Sequence, residues 1–65
     1  MKIRLNGAER ETAATTIAAL LEEISLPRQV ALVEQNGVAL RRDELDNAAL
    51  GEGDAVEVLR VAAGG

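Results

Sequence analysis

The chain has no cysteine, no histidine and no aromatic residue, and it carries a single lysine, Lys2, a single serine, Ser25, and a single proline, Pro27. Each absence removes a class of chemistry. Without cysteine there is no disulfide, no thiolate metal site and no thiol nucleophile. Without histidine the commonest general base and the commonest metal ligand are gone, so Ser25 has no partner to activate it as in a hydrolase triad. Without Phe, Tyr or Trp there is no platform on which nucleic-acid bases can stack. Seven basic residues against eleven acidic ones give a net charge of −4, which opposes a polyanionic partner. No apolar run approaches the ~20 residues of a membrane span, and the start of the chain lacks the pattern of a signal peptide. The expectation is a soluble, cytoplasmic protein that binds neither nucleic acid nor membrane nor metal. It is not itself a catalyst but a substrate, carrier or binding module for something larger.

Sixty-five residues make one small domain, which buries only about 60% of the surface its unfolded chain exposes. Eighteen Ile, Leu and Val residues can build one core, but twelve alanines and no aromatics mean that each buried position contributes little apolar area. Modest stability is expected. The acidic residues are spread along the chain without forming a disordered run, which reads as a solvated surface that can also steer a basic partner.

Ile3 and Leu5 alternate with Lys2 and Arg4, and Asn6-Gly7 tolerates positive φ at both turn positions before Ala8 to Thr12 continues. This predicts an N-terminal β-hairpin. Thr15 or Thr16 can cap a helix whose apolar residues Ile17, Leu20, Leu21 and Ile24 fall at i, i+3, i+4 and i+7. Glu22 and Glu23 are expected to point away from that face. Ser25-Leu26-Pro27 is expected to stop the helix, because proline disfavours helical angles at the residue before it. Val30 to Gln35 reads as a strand, Asn36-Gly37 as a second turn, and Val38 to Leu40 as a short strand. Asp43 to Leu50 can hold one helical turn, with Leu45 and Leu50 as its apolar contacts. Gly51-Glu52-Gly53-Asp54 reads as a tight turn. It has neither the Lys-Ser/Thr nor the following helix of a phosphate cradle, and its two acids lack a cleft or further ligands. Ala55 to Val61 is the last strand. The order ββαββ with one amphipathic helix predicts an α+β fold, a mixed sheet of four to five strands covered on one face by one main helix.

With Val56 and Val58 inward, the period of two turns Glu57, Leu59 and Val61 outward, which makes Leu59 and Val61 candidates for partner docking. Beyond them lies Ala62-Ala63-Gly64-Gly65. Residues 1–61 are expected to form the domain and residues 62–65 a flexible tail. Glycines without Cβ make a thin thread that can enter a channel too narrow for side chains. What such a thread delivers is the carboxylate of Gly65.

The opening Met1-Lys2-Ile3-Arg4-Leu5-Asn6-Gly7, the helix start Thr15-Thr16-Ile17-Ala18-Ala19-Leu20-Leu21, Asn36-Gly37 after an apolar strand, Gly53-Asp54-Ala55-Val56-Glu57-Val58 and the final Gly64-Gly65 together resemble the ThiS family. These are the sulfur carrier proteins of thiamine biosynthesis, small ubiquitin-like β-grasp domains. No one block is specific, but their order, spacing and total length are. One departure is Arg41-Arg42, where the family often shows Pro-Arg.

The resemblance implies that an ATP-dependent adenylating enzyme of the ubiquitin-activating kind joins Gly65 to AMP. Sulfur from a persulfide donor then leaves a C-terminal thiocarboxylate, which is delivered to a thiazole synthase. It further implies that Gly64, Ala63 and Ala62 give the tail access, that Leu59 and Val61 help dock the carrier, and that the carrier binds no cofactor, ATP being used by its partner. The small subunit of molybdopterin synthase shares the fold and the tail chemistry, but it is usually longer and often has aromatics and prolines before its Gly-Gly. A ubiquitin-like conjugation tag would form an isopeptide through Gly65. A non-covalent interaction domain would need no free glycine terminus.

Overall fold

The computed structural model describes residues 1–62. Asn6 (φ 51°) and Gly7 (φ 83°), like Asn36 (φ 52°) and Gly37 (φ 83°), take the left-handed angles that a two-residue hairpin turn requires at both positions. The first turn joins β1 (Lys2–Leu5) to β2 (Ala8–Glu11), and the second joins β3 (Ala31–Gln35) to β4 (Val38–Leu40). The strand β5 (Ala55–Arg60) lies between the hairpins, parallel to β1 and antiparallel to β3. The result is one mixed five-stranded sheet of order β2-β1-β5-β3-β4.

Helix α1 (Ile17–Glu23) covers one face of this sheet, in the β-grasp arrangement expected. Its buried residues Ile17, Ala18, Leu20 and Leu21 pack with Ile3, Val33, Leu45, Leu50 and Val56 into one core. Ile24 is half-buried at the edge of that core. The first N–H groups of a helix have no intrahelical partner, and here each finds one. Thr16 caps the helix, its Oγ1 accepting from Ala19 N at 3.1 Å. Ile17 N donates to Ala48 O and Ala18 N to Leu45 O, both at 3.0 Å. The segment that carries Leu45 and Leu50 into the core therefore also closes the helix start.

The helix stops at the expected Ser25-Leu26-Pro27 segment, and Ser25 rather than the proline makes the stop. Ser25 adopts φ 59°, Ser25 N donates to Glu22 O at 3.0 Å, and Leu26 N reaches back to Leu21 O at 2.9 Å. This is a Schellman motif with serine where glycine is usual. Pro27 instead leads into a 3₁₀ turn, Arg28–Val30, so the third strand starts at Ala31 and not at Val30. Glu23 is exposed like Glu22, as expected, but it is not merely solvated. Its carboxylate accepts from the buried Thr12 hydroxyl and lies 4.0 Å from Arg10 Nη2, tying the helix end to β2. The turn expected over Asp43–Leu50 is a 3₁₀ turn at Arg42–Glu44. Arg41 there has φ −78°, an angle proline also adopts, and its N–H donates to Glu44 Oε1 at 2.6 Å, so the Arg41-Arg42 departure leaves the turn intact.

The two acids of the glycine-rich turn are engaged by the fold. Glu52 accepts from Lys2 N at 3.1 and 3.3 Å. Asp54 accepts from Gly51 N at 2.8 Å, from Gln35 Nε2 at 2.9 Å and from Asn36 Nδ2 at 3.1 Å. The Gly51 N–H and then the Asn36 amide hold the Asp54 carboxyl below the usual range, partial burial opposing them. Because the folded value is the lower one, the resulting stabilisation is complete above the ordinary value near 3.8 and is lost as pH falls through the folded value. Urea unfolding followed by far-ultraviolet circular dichroism is expected to show a midpoint that drops as pH is lowered through the carboxylate range. The drop is expected to be smaller in Asp54→Asn, and an identical pH dependence in both proteins would contradict this assignment.

Candidate functional site

The alternation of β5 decides which side chains meet on the face that α1 leaves open. Val56 is buried under the helix, whereas Glu57 and Leu59 point outward, Leu59 with 61% of its surface exposed. The register between β3 and β5 sets Leu59 directly opposite Leu32, itself 54% exposed, and Glu57 directly opposite Glu34. Ala39 of β4 sits opposite Glu34 on its other side. An apolar pair thus lies beside an acidic pair in a shallow trough bordered by Asn6 and Ala39. Like charges directly opposite one another on neighbouring strands are destabilising, so Glu34 and Glu57 do not serve the sheet. They suit a partner that brings cations to an apolar contact.

The root of the tail is fixed by the same strand. Val61, one residue past β5, donates its N–H to Val30 O at 2.7 Å. Its side chain is half-buried, less open than alternation alone implies, while Ala62 is exposed. Ala63, Gly64 and Gly65 lie outside the described residues. The structure therefore places Leu59 near the end of β5 and Val61 one residue past it, immediately before the expected tail, and shows Leu59 as the open one.

Leu32, Glu34, Ala39 and Asn6 are parts of this face that the sequence reading missed. The strand alternation of β3, with Ala31 and Val33 inward, could have pointed Leu32 and Glu34 outward, but their pairing with β5 depends on strand order. Asn6 does more than make a turn. Its N–H donates to Val56 O at 2.9 Å, and its side-chain Oδ1 accepts from Val58 N at 2.7 Å. In a parallel ladder the second bond belongs to a backbone carbonyl; here the side chain supplies the acceptor because the main chain has turned away.

The comparisons with known proteins agree with this geometry. No curated protein matches the chain. Among solved structures, the crystal structure of a thiamine biosynthesis protein, ThiS, from Geobacter metallireducens is similar at a TM-score of 0.84 and 29% identity, with 100% of each chain covered. An NMR solution structure of a thiamine biosynthesis protein from the same organism is similar at a TM-score of 0.81 and 29% identity, covering 100% of this chain and 88% of that one. The family model described as the ThiS family matches residues 3–65, nearly the whole sequence. The chain belongs to the ThiS family.

Proposed function

We propose that this chain is a sulfur carrier of thiamine biosynthesis, with the Gly65 carboxylate as the group that carries the sulfur. The observation that supports this most directly is that the ThiS match runs through both terminal glycines to residue 65. A carboxylate is a poor electrophile, so it must first be activated. The Gly65 carboxylate attacks the α-phosphorus of ATP on an adenylating enzyme of the ubiquitin-activating kind, and pyrophosphate leaves. The terminal sulfur of a persulfide donor then attacks the acyl carbon and AMP departs. A second thiol then attacks the donor's own sulfur in the resulting acyl disulfide: the S–S bond breaks, a disulfide forms between that thiol and the donor, and the product leaves as a thiocarboxylate, a far stronger nucleophile than the carboxylate it replaces.

Gly64, Ala63 and Ala62 keep the thread thin enough to enter both partner sites, and the face around Leu59 and Val61 holds the domain while the tail reaches. The carrier itself supplies no catalytic group and holds no cofactor or metal; it works in the cytoplasm.

The rival reading, the small subunit of molybdopterin synthase, predicts the same thiocarboxylate but a different acceptor. Purified thiocarboxylate is therefore offered separately to thiazole synthase with its substrates and to the large subunit of molybdopterin synthase with its precursor. Turnover is expected only with the first, because discrimination between two acceptors of one reactive group comes from docking. Transfer only to the molybdopterin precursor would keep the tail chemistry and overturn the pathway.

A further inference from the structure

The chain's two Asn-Gly turns have nearly equal φ angles but hold their asparagines differently. Asn36 is clamped at both ends of its amide. Its Oδ1 accepts from Ala55 N at 2.9 Å, and its Nδ2 donates to Asp54 Oδ1 at 3.1 Å. Asn6 is held at one end, Oδ1 accepting from Val58 N at 2.7 Å, and no described residue accepts from its Nδ2. Both side chains are exposed to water.

We propose that Asn6 is a site of spontaneous deamidation in the folded protein, and that the fold protects the chemically equivalent Asn36. Asn-Gly is the pair most open to this reaction, since glycine puts no side chain in the way. The Gly7 backbone nitrogen gives up its proton to base and attacks Cγ of Asn6. The Cγ–Nδ2 bond breaks, the nitrogen leaves as ammonia, and a five-membered succinimide remains. Water opens that ring at either carbonyl, giving aspartate or isoaspartate. No oxidant or reductant is involved.

At Asn36 the same attack requires the amide to break two hydrogen bonds instead of one. The nucleophile and the tetrahedral intermediate are also anionic, and the Asp54 carboxylate beside the amide disfavours both. One net hydrogen bond alone slows the reaction roughly five-fold. The consequence at Asn6 falls on the open face, since the product adds a carboxylate to the trough that holds Glu34 and Glu57. The isoaspartate form also lengthens the main chain inside a two-residue turn and withdraws the acceptor from Val58 N.

The test uses the intact chain, aged in mildly alkaline buffer either folded or in urea. Trypsin separates the two sites, because cleavage after Arg4 and Arg10 isolates Asn6 and cleavage after Arg28 and Arg41 isolates Asn36. Mass spectrometry follows the exchange of amide for carboxyl in each peptide. Dividing each rate in urea by the folded rate gives the protection at each site and cancels intrinsic sequence effects. Protection at Asn36 is expected to exceed that at Asn6 by about five-fold or more. Equal protection, greater protection at Asn6, or no reaction at Asn6 in the folded chain once the urea sample has converted would each overturn the proposal.

Discussion

Removing Gly65 is expected to abolish ATP–pyrophosphate exchange with the adenylating enzyme while leaving thermal unfolding unchanged. The core residues run from Ile3 to Val56, and the sheet ends at Arg60, so nothing described downstream of Val61 packs against the domain. Shortening the chain by one residue withdraws the carboxylate by about 3.5 Å, and a misplacement of even 1 Å at a reacting group can cost ~100-fold in rate. The expected loss is therefore at least about 100-fold, which an exchange assay reads as no activity. Circular dichroism is the appropriate probe of folding, because a chain without aromatic residues has no intrinsic fluorescence to follow. Full exchange activity in the truncated chain would exclude Gly65 as the reacting terminus.

Leu59→Asp is expected to weaken binding to the adenylating enzyme by about 30-fold, the loss typical of an interface anchor. It removes half of the Leu32–Leu59 pair and places a third negative charge next to Glu57 and Glu34. Folding should survive, because Leu59 is 61% exposed and faces away from the core. Leu59→Thr, which keeps the strand preference while removing most of the apolar contact, separates docking from any cost of aspartate in a strand. Glu22→Ala, on the exposed side of the helix, is expected to bind like the unaltered protein. Unchanged affinity in both Leu59 variants would remove the open sheet face from the docking surface.

What could be read from the sequence was what local rules decide. Asn-Gly twice placed a hairpin turn correctly because few residues accept left-handed angles at two consecutive positions. The spacing of Ile17, Leu20, Leu21 and Ile24 gave the core face of α1, and the cap was narrowed to Thr15 or Thr16, of which Thr16 serves. The helix stops at Ser25-Leu26-Pro27 as read, but the device that stops it was not legible, because serine at a left-handed position carries no local signal; Ser25 and Leu26 are held there by bonds to Glu22 and Leu21. That Glu23, exposed as read, is engaged by the Thr12 hydroxyl just past β2 depends on a contact outside the helix.

The candidate site shows the same division. The period of two along β5 exposed Leu59 correctly, but Val61, past the end of the strand and bonded through its N–H to Val30 of the 3₁₀ turn, is half-buried. The pairs Leu32–Leu59 and Glu34–Glu57 exist only because β5 inserts between the two hairpins. That order is set by contacts between residues far apart in the chain, which local patterning does not encode.

Whether Gly65 carries sulfur is read from the mass of the C-terminal peptide after the chain has been incubated with ATP, an adenylating enzyme of the ubiquitin-activating kind and a persulfide donor. Trypsin cleaves after Arg60 and releases Val61–Gly65, which isolates the tail from every other residue. The expected product is a peptide in which one oxygen has been exchanged for sulfur, formed only when ATP is present and lost again when thiazole synthase and its substrates are added. Recovery of the tail only as the free acid, or joined by an isopeptide bond to a lysine of another protein, would contradict it.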